Sequence, residues 1–224
     1  MYGTVRKPIG AVGGDNLSKH NFDPQLVTTL VVCSANICRS PTAAFALSQF
    51  SRLSIQSAGI RPVTGANICQ TAAHQLSEIP GGSEYAGEFS SQGIETVDLR
   101  SFELILTATG SIRGKLVQQN PGLRGRIFTL LESRHLAERA LSSEECTILN
   151  EGGMSQVLVR RRGTLPTQAP TRRWLRGRSP SPLDLIDTHG TRSQRKHEKT
   201  IAQALAVGYR LGESLTSWCA TPEA

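Results

Sequence analysis

No stretch of this sequence approaches the roughly 18 consecutive apolar residues that a membrane-spanning helix needs, so no membrane partner is expected. The first 25 residues also lack the apolar segment of a signal peptide and read as a flexible N-terminal extension. Aromatic residues make up only 5% of the chain, which argues against a nucleic-acid surface built on base stacking. Cysteines number five, an odd count without a repeating spacing. That pattern excludes a disulfide framework and points to a reducing, cytoplasmic setting. The five histidines are scattered without the spacing of a metal site, so neither a metal nor a cofactor is expected. There is no internal repeat, and nothing in the sequence specifies an oligomeric state.

What is present is a chain of 224 residues, long enough for a sizeable core, with a net charge of +7. Arg160, Arg161, Arg162, Arg172, Arg173, Arg176 and Arg178 crowd the segment RRRGTLPTQAPTRRWLRGRSPSP. Its proline, glycine and serine content reads as a solvated, mobile linker. The competing reading, a patch for phosphate-bearing partners, has only Trp174 for aromatic support. Elsewhere strands and helices alternate. LVTTLVVC (26–33), RLSIQSAG (52–59), FELILTAT (102–109) and GRIFTLL (125–131) read as strands. Helices are expected from Ser40, over 66–79, over 111–119, over 133–141, and in a long terminal segment through Ile201, Leu205, Leu211 and Leu215. This rhythm, broken over about 149–182, favours an α/β fold with a parallel sheet covered on both faces.

The richest segment is VVCSANICRSP, where Cys33 ends the first strand and Ser40 and Pro41 signal a helix start as N-cap and first helical residue. A loop leaving a strand's C-terminal end and feeding a helix is a natural anion site, because backbone N–H groups converge there beside the positive end of the helix dipole. The same field favours a thiolate, and such positions lower a cysteine pKa from about 8.5 into a range of roughly 3.5–7.5. Cys33 is therefore the candidate nucleophile. Arg39 offers a planar fork for two phosphoryl oxygens. Ser40 is placed to donate a hydrogen bond to the sulfur, and Asn36 tolerates a left-handed backbone that a tight loop requires. Ser34, Ala35, Ile37 and Cys38 complete the candidate phosphate loop.

The run C-x-x-N-I-C-R-S-P, followed by SAGI at 57–60, Thr107-Ala108-Thr109 and Phe128-Thr129-Leu130, resembles the low-molecular-weight protein tyrosine phosphatases, in particular their bacterial branch. The resemblance covers about residues 26–218 and is weakest across the Arg/Pro-rich insertion at about 149–182. It implies a three-layer sandwich around a four-stranded parallel sheet, and phosphomonoester hydrolysis through a phosphocysteine intermediate. The implied substrates are a phosphotyrosine protein or a small phosphoester. It also implies a general acid near the last helix, a place held by LDLIDTHG; Asp187 matches the family's acid and Asp184 is the competing candidate. Ser57 resembles the serine that supports the loop asparagine, and Cys38 the partner in a reversible disulfide with Cys33. Thr188 stands where the family has proline, and Ser90, Ser91 and Gln92 where relatives carry arginines.

Cys69, on an apolar helical face, reads as a core residue, while Cys146 and Cys219 have no evident partner. His189 is a candidate to orient the Asp187 loop. Two other functions stay open: arsenate reduction on the same fold, which needs two further cysteines in relay, and phosphate binding by a degenerate site.

Overall fold

The structure is a computed structural model that describes residues 26–165, 181–190 and 193–219. The expected N-terminal extension (1–25) lies outside it, as do Arg172, Arg173, Arg176 and Arg178. Four strands, β1 (Val27–Cys33), β2 (Leu53–Gly59), β3 (Leu104–Thr107) and β4 (Ile127–Thr129), form one parallel sheet in the order β2-β1-β3-β4. In central β1, Thr29, Leu30, Val31 and Val32 are fully buried, which is why that segment reads as a continuous apolar run. Edge strand β2 instead reaches solvent at its middle, over residues 54–56.

The β1–β2 step and the β3–β4 step travel in opposite directions along the sheet. Right-handed crossovers therefore set the intervening helices, α1 (Arg39–Ser48) and α4 (Gly110–Gln119), on opposite faces. The reversal opens a crevice beyond the carboxyl ends of β1 and β3, where open α/β sheets bind ligands. The expected sandwich and four-stranded sheet are both present.

Helix α1 is buried from Arg39 to Leu47, with Ala43, Ala44 and Ala46 offering a flat surface. The long helix α7 (Gln194–Cys219) lies against it. Gly208 permits that approach: a Cβ there would sit 2.8 Å from the Ala43 carbonyl oxygen and 2.6 Å from Ala46 Cβ.

Several boundaries differ from the sequence expectation. Helix α1 begins at Arg39 with Cys38 as N-cap, so Ser40 and Pro41 are the second and third helical residues. Proline is tolerated there because the first-turn N–H groups lack helical partners. Helix α5 (Leu130–Ala137) starts three residues early, on a capping box between Thr129 and Glu132. Helices α2 (Gln70–Ser77) and α3 (Gly82–Glu88) follow β2, and α3 was not expected.

The largest correction concerns the arginine-rich region. Residues 149–161 are not irregular: helix α6 (Ser143–Arg161) runs through them, broken at Gly153, whose φ is +77°. Met154, Val157 and Leu158 enter the core. Arg161 is only 2% exposed. Arg162 lies 4.1 Å over the Phe128 ring and bonds Glu132 at 2.9 Å. Charge-run reasoning misread Arg161 and Arg162 as solvated because their carboxylate and aromatic partners are distant in sequence.

Candidate active site

Cys33 ends β1 and is 2% exposed. Its sulfur accepts hydrogen bonds from the Asn36 backbone N–H (3.2 Å) and from Ser40 Oγ (3.0 Å). Pointing its hydroxyl at the sulfur is thus what Ser40 does in place of capping the helix.

The loop is held open from outside. The Cys33 and Ser34 carbonyls accept from the Ile60 and Arg61 amides, the Ala35 carbonyl from Ser91 Oγ, and the Ile37 carbonyl from the Cys69 amide. With these carbonyls turned outward, the loop N–H groups other than that of Asn36 remain for an anion at its centre. Asn36 is the internal tie. Its φ of +57° is the left-handed geometry asparagine tolerates. Its Nδ2 donates to Ser57 Oγ (2.9 Å) and Ser40 Oγ (3.0 Å), while its Oδ1 accepts from the Gln92 amide (3.1 Å). Gly59 passes directly behind: a Cβ there would lie 2.7 Å from the Ser34 oxygen.

Ser91 and Gln92, which in the sequence read only as departures from arginine, support the loop in the structure. Ser91 Oγ holds Ala35, while Gln92 bonds both Asn36 and, through Nε2, the Ser57 carbonyl (3.0 Å). No local motif marks this buttress, because it acts across 56 residues of chain.

The segment carrying both acid candidates docks on the carboxyl end of β3. The Leu185 amide bonds the Ala108 carbonyl (2.8 Å) and its side chain is fully buried. Asp184 Oδ1 accepts from the Gly110 amide (2.6 Å), an anchoring role at the start of α4. Asp187, about half exposed, reaches Arg39 Nη2, and its Oδ1 accepts from the His189 amide (3.1 Å). Arg39 also donates through Nη1 to the Leu185 carbonyl (3.0 Å). One guanidinium therefore spans the phosphate loop and the Asp187 segment.

Two expectations fail beside the loop. Cys69 is not a simple core residue, and two of the scattered histidines, His189 and His197, meet in space beside two cysteines. Cys38 Sγ lies 3.2 Å from His189 Nδ1, and Cys69 Sγ lies 3.4 Å from His197 Nε2. The two sulfurs lie within 4.8 Å of each other, and this pairing is the main cause holding Cys69 below the ordinary thiol range and, with burial, pushing Cys38 above it. Thr188 Oγ1 lies 3.2 Å from His197 Nδ1. The residue that replaces the family's proline is thereby tied to helix α7. Cys33, Cys38, Cys69 and Cys146 are all free thiols.

A buried cysteine within an amide-lined loop at the switch point of a doubly wound parallel sheet, bridged by arginine to a carboxylate, defines an α/β protein with a thiol-bearing anion site. The chain belongs to the low molecular weight phosphotyrosine protein phosphatase family, whose model matches residues 28–144. It is 35% identical over 105 residues to the low molecular weight protein-tyrosine-phosphatase Wzb of Escherichia coli K12. That match covers 44% of this chain and 66% of Wzb, just under two thirds of the relative's length. Among solved structures, the YwlE arginine phosphatase from Geobacillus stearothermophilus superposes with a TM-score of 0.55 at 19% identity, over 85% of this chain and 94% of that one. A low molecular weight protein tyrosine phosphatase from T. tengcongensis gives 0.54 at 20%, over 84% and 99%. At such identities these two likenesses establish the fold. Among the described residues no helix is long and apolar enough to cross a membrane.

Proposed function

We propose that this chain is a cysteine-dependent phosphomonoesterase acting on phosphorylated protein, phosphotyrosine in the first instance, or on a small phosphoester. The observation that carries the reading is the continuous chain of contacts Ser40–Cys33–loop–Arg39–Asp187. The Cys33 sulfur attacks phosphorus and forms an S–P bond as the ester P–O bond breaks. Loop amides and Arg39 hold the equatorial oxygens where charge accumulates. Asp187 protonates the departing oxygen and then takes a proton from the water that hydrolyses phosphocysteine. Ser40 hydrogen-bonds the sulfur as it leaves. A cavity of about 420 Å³ is lined by Ile94, Lys115, Gln119 and by Ile60 and Arg61, whose amides hold the Cys33 and Ser34 carbonyls. Its two cations suit acidic residues flanking a phosphosite. Four free thiols suit a reducing, cytoplasmic setting.

Hydrolysis of an aryl phosphate under reducing conditions tests this with wild type, Cys33→Ser and Asp187→Ala. Turnover abolished by Cys33→Ser and lowered at least about a hundredfold by Asp187→Ala is expected, within the range for loss of a general acid. Wild type without turnover sinks the reading. The Cys38–Cys69 pair gives arsenate reduction a specific footing that sequence spacing had denied it. Thiol-dependent arsenate loss without phosphatase turnover would establish that alternative. The expected Cys33–Cys38 disulfide is tested in parallel by mapping peroxide-treated enzyme.

A further inference from the structure

Cys38, Cys69, His189 and His197 converge from three parts of the fold: the end of the phosphate loop, the N-cap of α2, and the Asp187 segment running into the first turn of α7. Their donor atoms, two sulfurs and two imidazole nitrogens, all lie within 4.8 Å of one another. From these positions we propose that the four side chains form a tetrahedral zinc site, clamping the Asp187 segment and α7 to the phosphate loop.

The dimensions fit. Zinc binds thiolate at about 2.3 Å and imidazole at about 2.0–2.1 Å, so a tetrahedron places sulfur and nitrogen roughly 3.5 Å apart. Two of the four sulfur–nitrogen separations here are 3.2 Å and 3.4 Å, and no pair of donor atoms is more than 4.8 Å apart. The donor set is also selective: two sulfurs and two nitrogens in tetrahedral array suit zinc, whereas magnesium and calcium take oxygen. A supporting contact is in place at His197. The Thr188 Oγ1–His197 Nδ1 contact (3.2 Å) accommodates the Nδ1-protonated tautomer that metal binding through Nε2 requires. The shell is uneven in access, which gives the ion a way in: Cys38 and His197 are buried, Cys69 is half-buried and His189 is exposed.

Binding replaces the thiol hydrogens with the cation, releasing protons without any redox change. His189 lies two residues beyond Asp187, and Cys38 immediately precedes Arg39. A bound ion would therefore fasten the carboxylate side of the crevice to the loop side. It would also occupy Cys38, competing directly with a Cys33–Cys38 disulfide. The spacing Cys-x30-Cys and His-x7-His matches no sequence motif, so only the fold reveals the set.

The inference is tested apart from catalysis. The reduced full chain is titrated with Co²⁺, whose visible bands report tetrahedral geometry and whose near-ultraviolet charge transfer counts thiolates, and Zn²⁺ is then used to displace it. Expected is one equivalent, a tetrahedral spectrum with two thiolates, complete displacement by zinc, and a higher melting temperature with zinc. Cys33→Ser and Cys146→Ser should leave the spectrum intact. Cys69→Ser and His189→Asn should remove or distort it, and Thr188→Ala should weaken affinity about 10–100-fold. His189, exposed on the surface, is the variant least able to disturb folding. No tetrahedral spectrum in wild type, a spectrum lost in Cys33→Ser, or one unchanged in His189→Asn would each overturn the proposal. Aryl phosphatase activity is measured separately, so a failed zinc site and a failed phosphatase reading remain distinguishable.

Discussion

Replacing Arg161 by methionine removes a buried side chain that makes five hydrogen bonds. Its Nε and Nη2 donate to the two Glu145 oxygens, both at 2.7 Å. Its remaining donors reach the Leu136, Arg139 and Ala140 carbonyls at 2.8–2.9 Å. The guanidinium also lies 4.8 Å from the Trp218 ring centroid, so this one residue joins α5, α6 and α7. Breaking a buried pair costs about 3–5 kcal/mol, because the abandoned charge stays buried. About 4 kcal/mol corresponds to a fall in melting temperature of roughly 8–16 °C for a domain of this size. The double variant Arg161→Met/Glu145→Gln removes both charges and should recover at least about half of the loss.

Acid supplies an independent check. The Arg161 hydrogen bonds are the main cause holding Glu145 at about 2, against 4.5 for an unperturbed glutamate. With its folded value depressed, Glu145 contributes stability that is complete above about pH 4.5 and is lost as pH falls towards 2. A shift of about 2.5 units is worth roughly 3 kcal/mol, of which about 2 disappears between about pH 5 and about pH 3. Wild type should therefore lose about 2 kcal/mol more than Arg161→Met across that interval in urea-unfolding curves. A loss below about 1 kcal/mol for Arg161→Met at neutral pH, or parallel acid slopes for the two proteins, would refute the reasoning.

Gly59→Ala presses a methyl group onto the phosphate loop backbone, and aryl phosphate kcat/KM should fall by about tenfold or more, since small misplacements of reacting groups are costly. Unchanged kinetics would mean that the loop yields freely. Ser57→Ala leaves one Asn36 amide N–H without its acceptor and should cost about 1–2 kcal/mol in urea unfolding as well as lowering turnover. Stability equal to wild type would show that Asn36 is held without it. Gly208→Val drives α7 away from α1 and should lower stability by about 1–3 kcal/mol; a neutral result would contradict the close packing of those helices.

The sequence by itself determined the elements whose signals are local. Buried β1 is legible because β-branched and aliphatic residues must fill a strand covered on both faces, and the left-handed turn at Asn36 because few residues accept it. The candidate nucleophile, arginine and acid were legible because the motifs that carry them are contiguous. Tertiary structure alone decided the partnerships made across the chain. Ser91 and Gln92 became supports for the phosphate loop, and Arg161 became a core residue with its own carboxylate and carbonyl shell. Asp184 was separated from Asp187 by which group each faces: the Gly110 amide for one, the Arg39 guanidinium for the other. Cys38, Cys69 and the His189–His197 segment were brought together from three parts of the fold until their donor atoms lay within 4.8 Å of one another. Hydropathy and spacing report what a segment does with its neighbours in the chain; the charge, metal affinity and reactivity of a side chain depend on which groups the fold sets against it.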